Sequence, residues 1–164
     1  MHSIAQTLIH NSSSAKLTVE EVATEAQRAS FLDIFRRVYM APASPGEPYS
    51  GLSDLYLTAI TQSVVRPAPF AHHLLGSIGP IPVAVASFCY ADAFAAIYNV
   101  AVLPEHRRKG LGAEISLACA TQAYNINPST LIFLQTELGS ANETFYKNLG
   151  FEIAFVAECL AQPL

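Results

Sequence analysis

Charge is what this chain has least of. Only 13% of its 164 residues are Asp, Glu, Lys or Arg, about half the ~25% usual in soluble domains. With 51% hydrophobic residues, the composition excludes disorder and calls for a large buried core. A basic excess is also absent. Nine Lys and Arg against thirteen Asp and Glu give a net charge of −4, with no overall pull toward phosphate backbones or anionic lipid. Nucleic acid and membranes are therefore not expected as partners. Cysteine is scarce: Cys89, Cys119 and Cys159 lie far apart in apolar sequence. They suggest neither a metal knuckle nor a disulfide framework, and read as buried thiols of a cytoplasmic protein.

Residues 1–14 lack the basic start and apolar core of a signal peptide, and read as a flexible N-terminal tail. An unbroken membrane-length run is missing too. The stretch from Ile81 to Leu103 is interrupted by Pro82 and Asn99, and Ala91-Asp92 falls where a hairpin would turn. It reads as two buried strands. Residues 15–164 then form one domain, as the length predicts.

The hydrophobic period gives the element order. Lys16 to Glu21 is strand-like, and Thr24 with Gln27 makes a capping box. Phe31, Ile34, Phe35 and Val38 form one stripe of a helix ending near Tyr39. Three prolines and a glycine make 41–48 a loop, after which Leu52, Leu55, Tyr56, Ala59 and Ile60 space out a second helix that stops before Arg66-Pro67. His72 to Ile78, Val83 to Tyr90 and Phe94 to Leu103 predict a three-stranded antiparallel meander. Helical spacing returns with Leu111, Ile115, Ala118 and Cys119. Leu131 to Thr136 predicts a strand. Ser140 with Glu143 caps a helix that Gly150 ends, and Phe151 to Ala157 predicts a last strand. The expected architecture is α/β, in the order β-α-α-β-β-β-α-β-α-β.

Chemistry concentrates after Leu103, in Arg107-Arg108-Lys109-Gly110-Leu111-Gly112-Ala113 at the start of a helix. Amides at a helix N-terminus point outward unpaired, and the helix dipole adds about half a positive charge, so an anion can bind there. Glycine lets a phosphate approach the backbone closely. Three of the nine basic residues sit beside this turn. By itself a Gly-x-Gly is also what a solvated basic turn with a glycine cap looks like. Two familiar alternatives fail on the letters. A dinucleotide fingerprint wants a small residue where Ile115 stands, and no Gly-Lys-Ser/Thr of a P-loop occurs.

The run Val100 to Gly112 resembles the cofactor motif of the GNAT acetyltransferases, and Asn142 with Tyr146-Lys-Asn-Leu-Gly150-Phe151 resembles that family's closing motif. The resemblance covers roughly residues 70–157, and extends to the N-terminal third only in element order. It implies a GNAT fold: a mixed sheet of an antiparallel meander plus a splayed parallel pair, flanked by helices. It also implies acetyl-CoA, its diphosphate on Arg107, Arg108, Lys109, Gly110, Gly112 and Ala113 and its pantetheine arm along Val100 and Val102. Asn142 would be a further cofactor contact, although its spacing to Tyr146 is shorter than is usual in the family.

Tyr146 has a geometric case of its own. Ala141, Phe145 and Leu149 predict the buried stripe of the last helix, and Tyr146 lies about 100° off it. A phenol of pKa ~10 can protonate a departing thiolate, the role the resemblance gives it. It can equally pack on Phe151. The fourth strand carries no carboxylate where many members have a glutamate. Glu137, closing the fifth strand, is the nearby acidic candidate for a base, with Tyr98 and Asn99 able to order a water. His72 and His73 read as surface imidazoles.

Together these imply an acetyltransferase acting on a primary amine of a small molecule or peptide by direct attack. The alternative is an acyl-CoA-binding regulatory module without turnover. The few charges and an exposed Phe151–Leu160 edge suggest a homodimer.

Overall fold

The computed structural model describes residues 16–40 and 54–158. The 1–14 tail, the 41–48 loop and Cys159 lie outside them. Helix α1, Glu25–Tyr39, starts where the capping box predicts: Thr24 Oγ1 accepts from Gln27 N, and the Gln27 side chain accepts from Thr24 N. Its buried face is Phe31, Leu32, Ile34 and Phe35. Helix α2, Asp54–Val65, turns differently from the predicted stripe. Ile60 and Val64 are buried, whereas Leu55 is 78% exposed and Ala59 is exposed. The face chosen is the one that meets Phe31 and Phe35. Tertiary packing decides between two apolar rows of one helix, and spacing alone does not.

Strands β1 (Thr18–Glu21), β2 (Ala71–Ile78), β3 (Ile81–Ala91), β4 (Phe94–Val102) and β5 (Leu131–Phe133) form one sheet in the order β1-β2-β3-β4-β5. All neighbours are antiparallel except β4 and β5, which run parallel through the crossover helix α3, Leu111–Ile126. Helices α1 and α2 cover one face over Leu75, Val85, Ala101 and Leu103. Helix α3 covers the other with Leu111, Ile115, Cys119 and Ala123, over Leu74, Val83, Phe88 and Ile97. The result is three layers, with the sheet buried on both sides.

Two features of β4 shape everything downstream. Val85 pairs with Ala101 and Ser87 with Tyr98, so Asn99 and Val100 together oppose the single residue Ala86. This is a β-bulge, and Asn99 adopts φ +56°, a left-handed conformation that Asn tolerates better than most residues. The extra residue inverts the alternation of the strand. Ala95 and Ile97 face α3 before it, while Ala101 and Leu103 face α1 after it, and Val100 and Val102 pack on the α3 side. The second feature is a short partner. β5 pairs only with Phe94, Ala95 and Ala96, so β4 runs on without it.

The C-terminal region departs from expectation. The fifth strand ends at Phe133 rather than Thr136, and residues 151–158 are not a strand. The alternation of Phe151, Ile153 and Phe155 is of strand type, but a strand needs an edge to bond, and β5 stops before it could offer one. Ile153, Phe155 and Val156 are left 50%, 76% and 63% exposed. Helix α4, Ala141–Asn148, ends at Gly150 with φ +94°, as predicted. Ser140 Oγ accepts from Glu143 N, yet the Glu143 carboxylate reaches Gly139 N instead of closing the box on Ser140. Ala141 is exposed and Phe145 and Leu149 are half-buried, so the expected buried stripe is only partly formed. Among the described residues no layer lies behind this helix to bury it further.

Candidate active site

The polypeptide leaves β4 through Leu103, which is buried, and a 3-10 turn, Pro104–His106. Arg107 follows in extended conformation, Arg108 has φ +59° and Gly110 φ +85°. A side chain at Gly110 would be strained at that φ, which is the physical reason for glycine there. Gly110 caps α3, and the first intrahelical amide to be satisfied is Ala113, which donates to Gly110 O at 3.0 Å. The amides of Leu111 and Gly112 therefore precede the ladder and point out of the helix end. Arg107, Arg108 and Lys109 are all exposed. This is a fitting cradle for a diphosphate: outward amides, a helix N-terminus and three cations.

The cradle is braced from three sides. Arg107 Nε donates to Val102 O and Lys109 Nζ to Glu105 O. Arg37 of α1 pairs with Glu105 at 2.7 Å. Glu114, in the first turn of α3, accepts from the amides of Lys16 and Leu17 at 2.8 and 2.9 Å, while Lys16 Nζ donates to Lys109 O. The braces from Arg37, Lys16 and Leu17 join positions distant in sequence, and no motif announced them.

Gly112 faces inward. A Cβ there would lie 3.5 Å from the Phe145 ring and 3.9 Å from Val102, ordinary contact distances. The fold alone does not demand glycine at this position. Val102 and Phe145 thus close around Gly112, at the end of β4 where β5 no longer pairs with it. Val100, on the same strand, is half-buried, and its carbonyl accepts from Tyr39 Oη at 2.9 Å.

Tyr146 is half-buried on α4, packed edge-on against Phe145 at 4.9 Å and Phe151 at 5.8 Å. The packing expected against Phe151 is present, and it fixes the ring without excluding a chemical role for the hydroxyl. Asn142 is exposed on the same helix. Glu137 is also exposed, four residues past the end of β5, where its carbonyl accepts from Ser140. It does not close the fifth strand. The early end of β5 leaves it in the connection to α4.

His73 is not at the surface. It is 5% exposed, with Nδ1 2.8 Å from Ser87 Oγ and Nε2 2.9 Å from Ser63 Oγ. Burial lowers its pKa below the usual histidine value, ahead of a smaller opposing effect of its bond to Ser63. His72 is the more accessible of the two. It bonds Glu21 at 2.8 Å and stacks on Phe88. A pair of adjacent strand residues must face opposite sides, so one imidazole of the two was bound to enter a layer. At the far end of β4, an apolar hollow of about 690 Å³ lies between Phe70, Cys89, Phe94 and Phe133. None of the residues proposed for acetyl transfer lines it.

Comparison with known proteins agrees with this geometry. The acetyltransferase (GNAT) domain family matches residues 74–153, from within β2 to just past α4. No curated protein matches the chain. Among solved structures, a GCN5-related N-acetyltransferase from Kribbella flavida is 26% identical with a TM-score of 0.57, over 86% of this chain and 48% of that one. The structure of AAC(6')-Iy with the bisubstrate analog CoA-S-monomethyl-acetylneamine has a TM-score of 0.66 at 13% identity, over 92% and 100% of the two chains. The ribosomal-protein-S18-alanine N-acetyltransferase of Escherichia coli gives 0.64 at 16% identity, over 85% and 79%. The last two likenesses show the fold. Over residues 74–153, therefore, the chain is similar to the GNAT acetyltransferases.

Proposed function

We propose that this protein transfers an acetyl group from acetyl-CoA to a primary amine of a small molecule or peptide by direct attack. The observation that carries the reading is the length of β4 beyond Ala96 that β5 leaves unpaired, which runs past the bulge toward the helix start at Gly110. In this reading Arg107, Arg108, Lys109 and the amides of Gly110, Gly112 and Ala113 hold the diphosphate. Val100 and Val102 line the pantetheine arm. Asn142 adds a surface contact from α4. Bound acetyl-CoA supplies a thioester carbonyl for the amine to attack.

Tyr146 then donates its phenolic proton to the departing sulfur. Phe145 and Phe151 hold its ring in place for that step. Glu137 takes up the ammonium proton through solvent, since it stands exposed at the entrance side of α4. No covalent enzyme intermediate is required.

An aminoglycoside antibiotic 6'-N-acetyltransferase and a ribosomal-protein-S18-alanine N-acetyltransferase among the fold neighbours suggest acceptors to be tried. Aminoglycosides, polyamines, amino acids and peptide N-termini should be screened for release of free thiol. Steady thiol release with one class supports acetyl transfer. Tight acetyl-CoA binding without release from any amine would favour the regulatory module. The exposed apolar row Ile153, Phe155 and Val156 supports a homodimer contact. Light scattering at micromolar concentration should give twice the 17.6 kDa of one chain, and the monomer mass refutes it.

A further inference from the structure

β5 stops early, and a hollow begins where it stops. Ala96 and Phe133 are the last paired residues of β4 and β5, and beyond them β4 runs on without its partner. Both line the hollow of about 690 Å³ that also touches Phe70, Cys89 and Phe94. That volume falls within the roughly 300–1,000 Å³ of small-molecule pockets. Ala95 and Ile97 pack toward α3, so Phe94, Ala96 and Tyr98, which alternate with them, share the other face of β4. Tyr98 follows Ala96 on that face, is 38% exposed and stands just ahead of the bulge. From Ala96 to Val100, where the proposed pantetheine arm ends, is about 13 Å of strand. The hollow and the proposed transfer site thus lie along one length of β4.

The lining is aromatic and apolar. Phe70 and Phe94 are part of it and yet stand 57% and 51% exposed, so an apolar occupant would take two large rings out of water. Among the described residues that line the hollow, Asp92 at the hairpin tip is the one with a charge. A second hollow, along α2, shares Phe70 and Cys89 with the first, and there the charged member is Arg66. One carboxylate and one guanidinium cannot balance several ammonium groups at once. The surroundings therefore oppose a polycation and suit an uncharged body.

We propose that this hollow seats the apolar body of the acceptor, and that the acceptor is a monoamine whose primary amino group is carried on a linker from an aryl or bulky alkyl group. The inference rests on the acetyl-transfer reading of β4. The body lies among Phe70, Phe94 and Phe133, and the linker follows the Ala96 and Tyr98 face toward Val100. Apolar surroundings disfavour the ammonium form, which leaves the neutral amine as nucleophile. Its nitrogen bonds to the thioester carbonyl carbon as the carbon–sulfur bond breaks. The surplus proton on nitrogen is lost and the sulfur gains one, giving the amide and free thiol.

The test compares phenylalkylamines of increasing linker length, from benzylamine to 4-phenylbutylamine, with spermidine and kanamycin, by thiol release at saturating acetyl-CoA. The best phenylalkylamine should exceed spermidine and kanamycin ~10-fold or more in kcat/KM, with a maximum at one linker length. Phe70→Ala and Phe94→Ala remove exposed rings, so neither empties the core. Each should raise the KM of that amine ~3–10-fold, while calorimetry finds coenzyme A affinity within about twofold of the parent. Ala91→Glu adds a carboxylate at an exposed lining position and should narrow the gap to spermidine. A preference of the parent for spermidine, kanamycin or a polar peptide N-terminus overturns the proposal and leaves acetyl transfer standing. So does a phenylalkylamine KM unmoved in both ring variants. A parent enzyme that binds coenzyme A but acetylates no amine overturns the acetyl-transfer reading itself, and the proposal with it.

Discussion

The two sides of β4 are built on opposite principles. Toward β3, the strand is bonded along its length except at the bulge, and the neighbouring core contains Phe31, Phe35, Phe88 and Ile115 at zero exposure. Toward β5, bonding stops after three residues, α4 has no buried residue, and apolar side chains such as Phe155 stand in solvent. The first side makes the molecule stable. The second leaves backbone hydrogen-bonding capacity and apolar wall for a ligand to use. In the proposed reading, stability and binding fall on different edges of one strand.

The largest effect should appear on the open side. Tyr146→Phe keeps the ring contacts with Phe145 and Phe151, and removes only the proton donor. Turnover should fall ~10²–10⁴-fold with acetyl-CoA affinity nearly unchanged, as steady-state kinetics and calorimetry would report. Unaltered turnover would make the tyrosine a packing residue only.

Next in size is a stability contrast between the sides. Phe35→Ala should cost about 3–5 kcal/mol in denaturant unfolding, because it empties a fully buried site. Phe155→Ala should stay within about 0.5 kcal/mol in a monomeric sample, since its ring is already exposed. A large loss at Phe155 would show that the C-terminal run is packed after all.

Ligand binding should then narrow the contrast. At a hundredfold excess over its dissociation constant, acetyl-CoA should stabilise the fold by about 2.7 kcal/mol, read as a rise in melting temperature. Gly112→Asp should remove that rise by placing a carboxylate at the cradle. Gly112→Ala separates charge from bulk, because the fold accommodates its Cβ at ordinary contact distances. A full thermal shift retained in Gly112→Asp would move the anion site elsewhere.

The smallest effect concerns the closed side. His73 is held neutral by burial, with its pKa lowered, while His72 opposes and Glu21 favours its protonation. The unfolded chain, with histidine pKa ~6.5, therefore binds this proton more readily than the native one. The resulting stability is present above about pH 6.5 and is lost as pH falls through the lower native pKa. Melting temperature should decline over that acid range, and the decline should be shallower in His73→Asn. A slope unchanged by that substitution would assign it to other groups.

What was legible in the sequence follows the same division. The capping box at Thr24, the hairpin turns of the meander, the helix start at Gly110 and the stop at Gly150 are local signals, each satisfied within a few residues, and the structure has them all. Phe151 to Ala157 has a strand's alternation but no strand, since a strand depends on a partner that its own letters do not encode. The buried face of α2 and the depth of His73 are likewise decided by neighbours far along the chain. Asn99 was visible as an interruption of an apolar run, but its bulge could be found only through its register with β3. The cradle was readable because backbone chemistry at a helix start leaves a mark in glycines. The apolar hollow leaves none, as its lining is drawn from separate segments.

The bulge at Asn99 also makes β4 sensitive to parity. Side chains along a strand alternate with a period of two, so replacing a residue leaves the count intact, whereas adding or removing one exchanges the two faces beyond that point. With Asn99 present, Val100 and Val102 look toward α3 and Ala101 and Leu103 toward α1. Without it, the pairs would trade places: small Ala101 would look toward α3, and two valines would press into the layer that now closes around alanine. This short stretch therefore tolerates changes of spelling far better than changes of length.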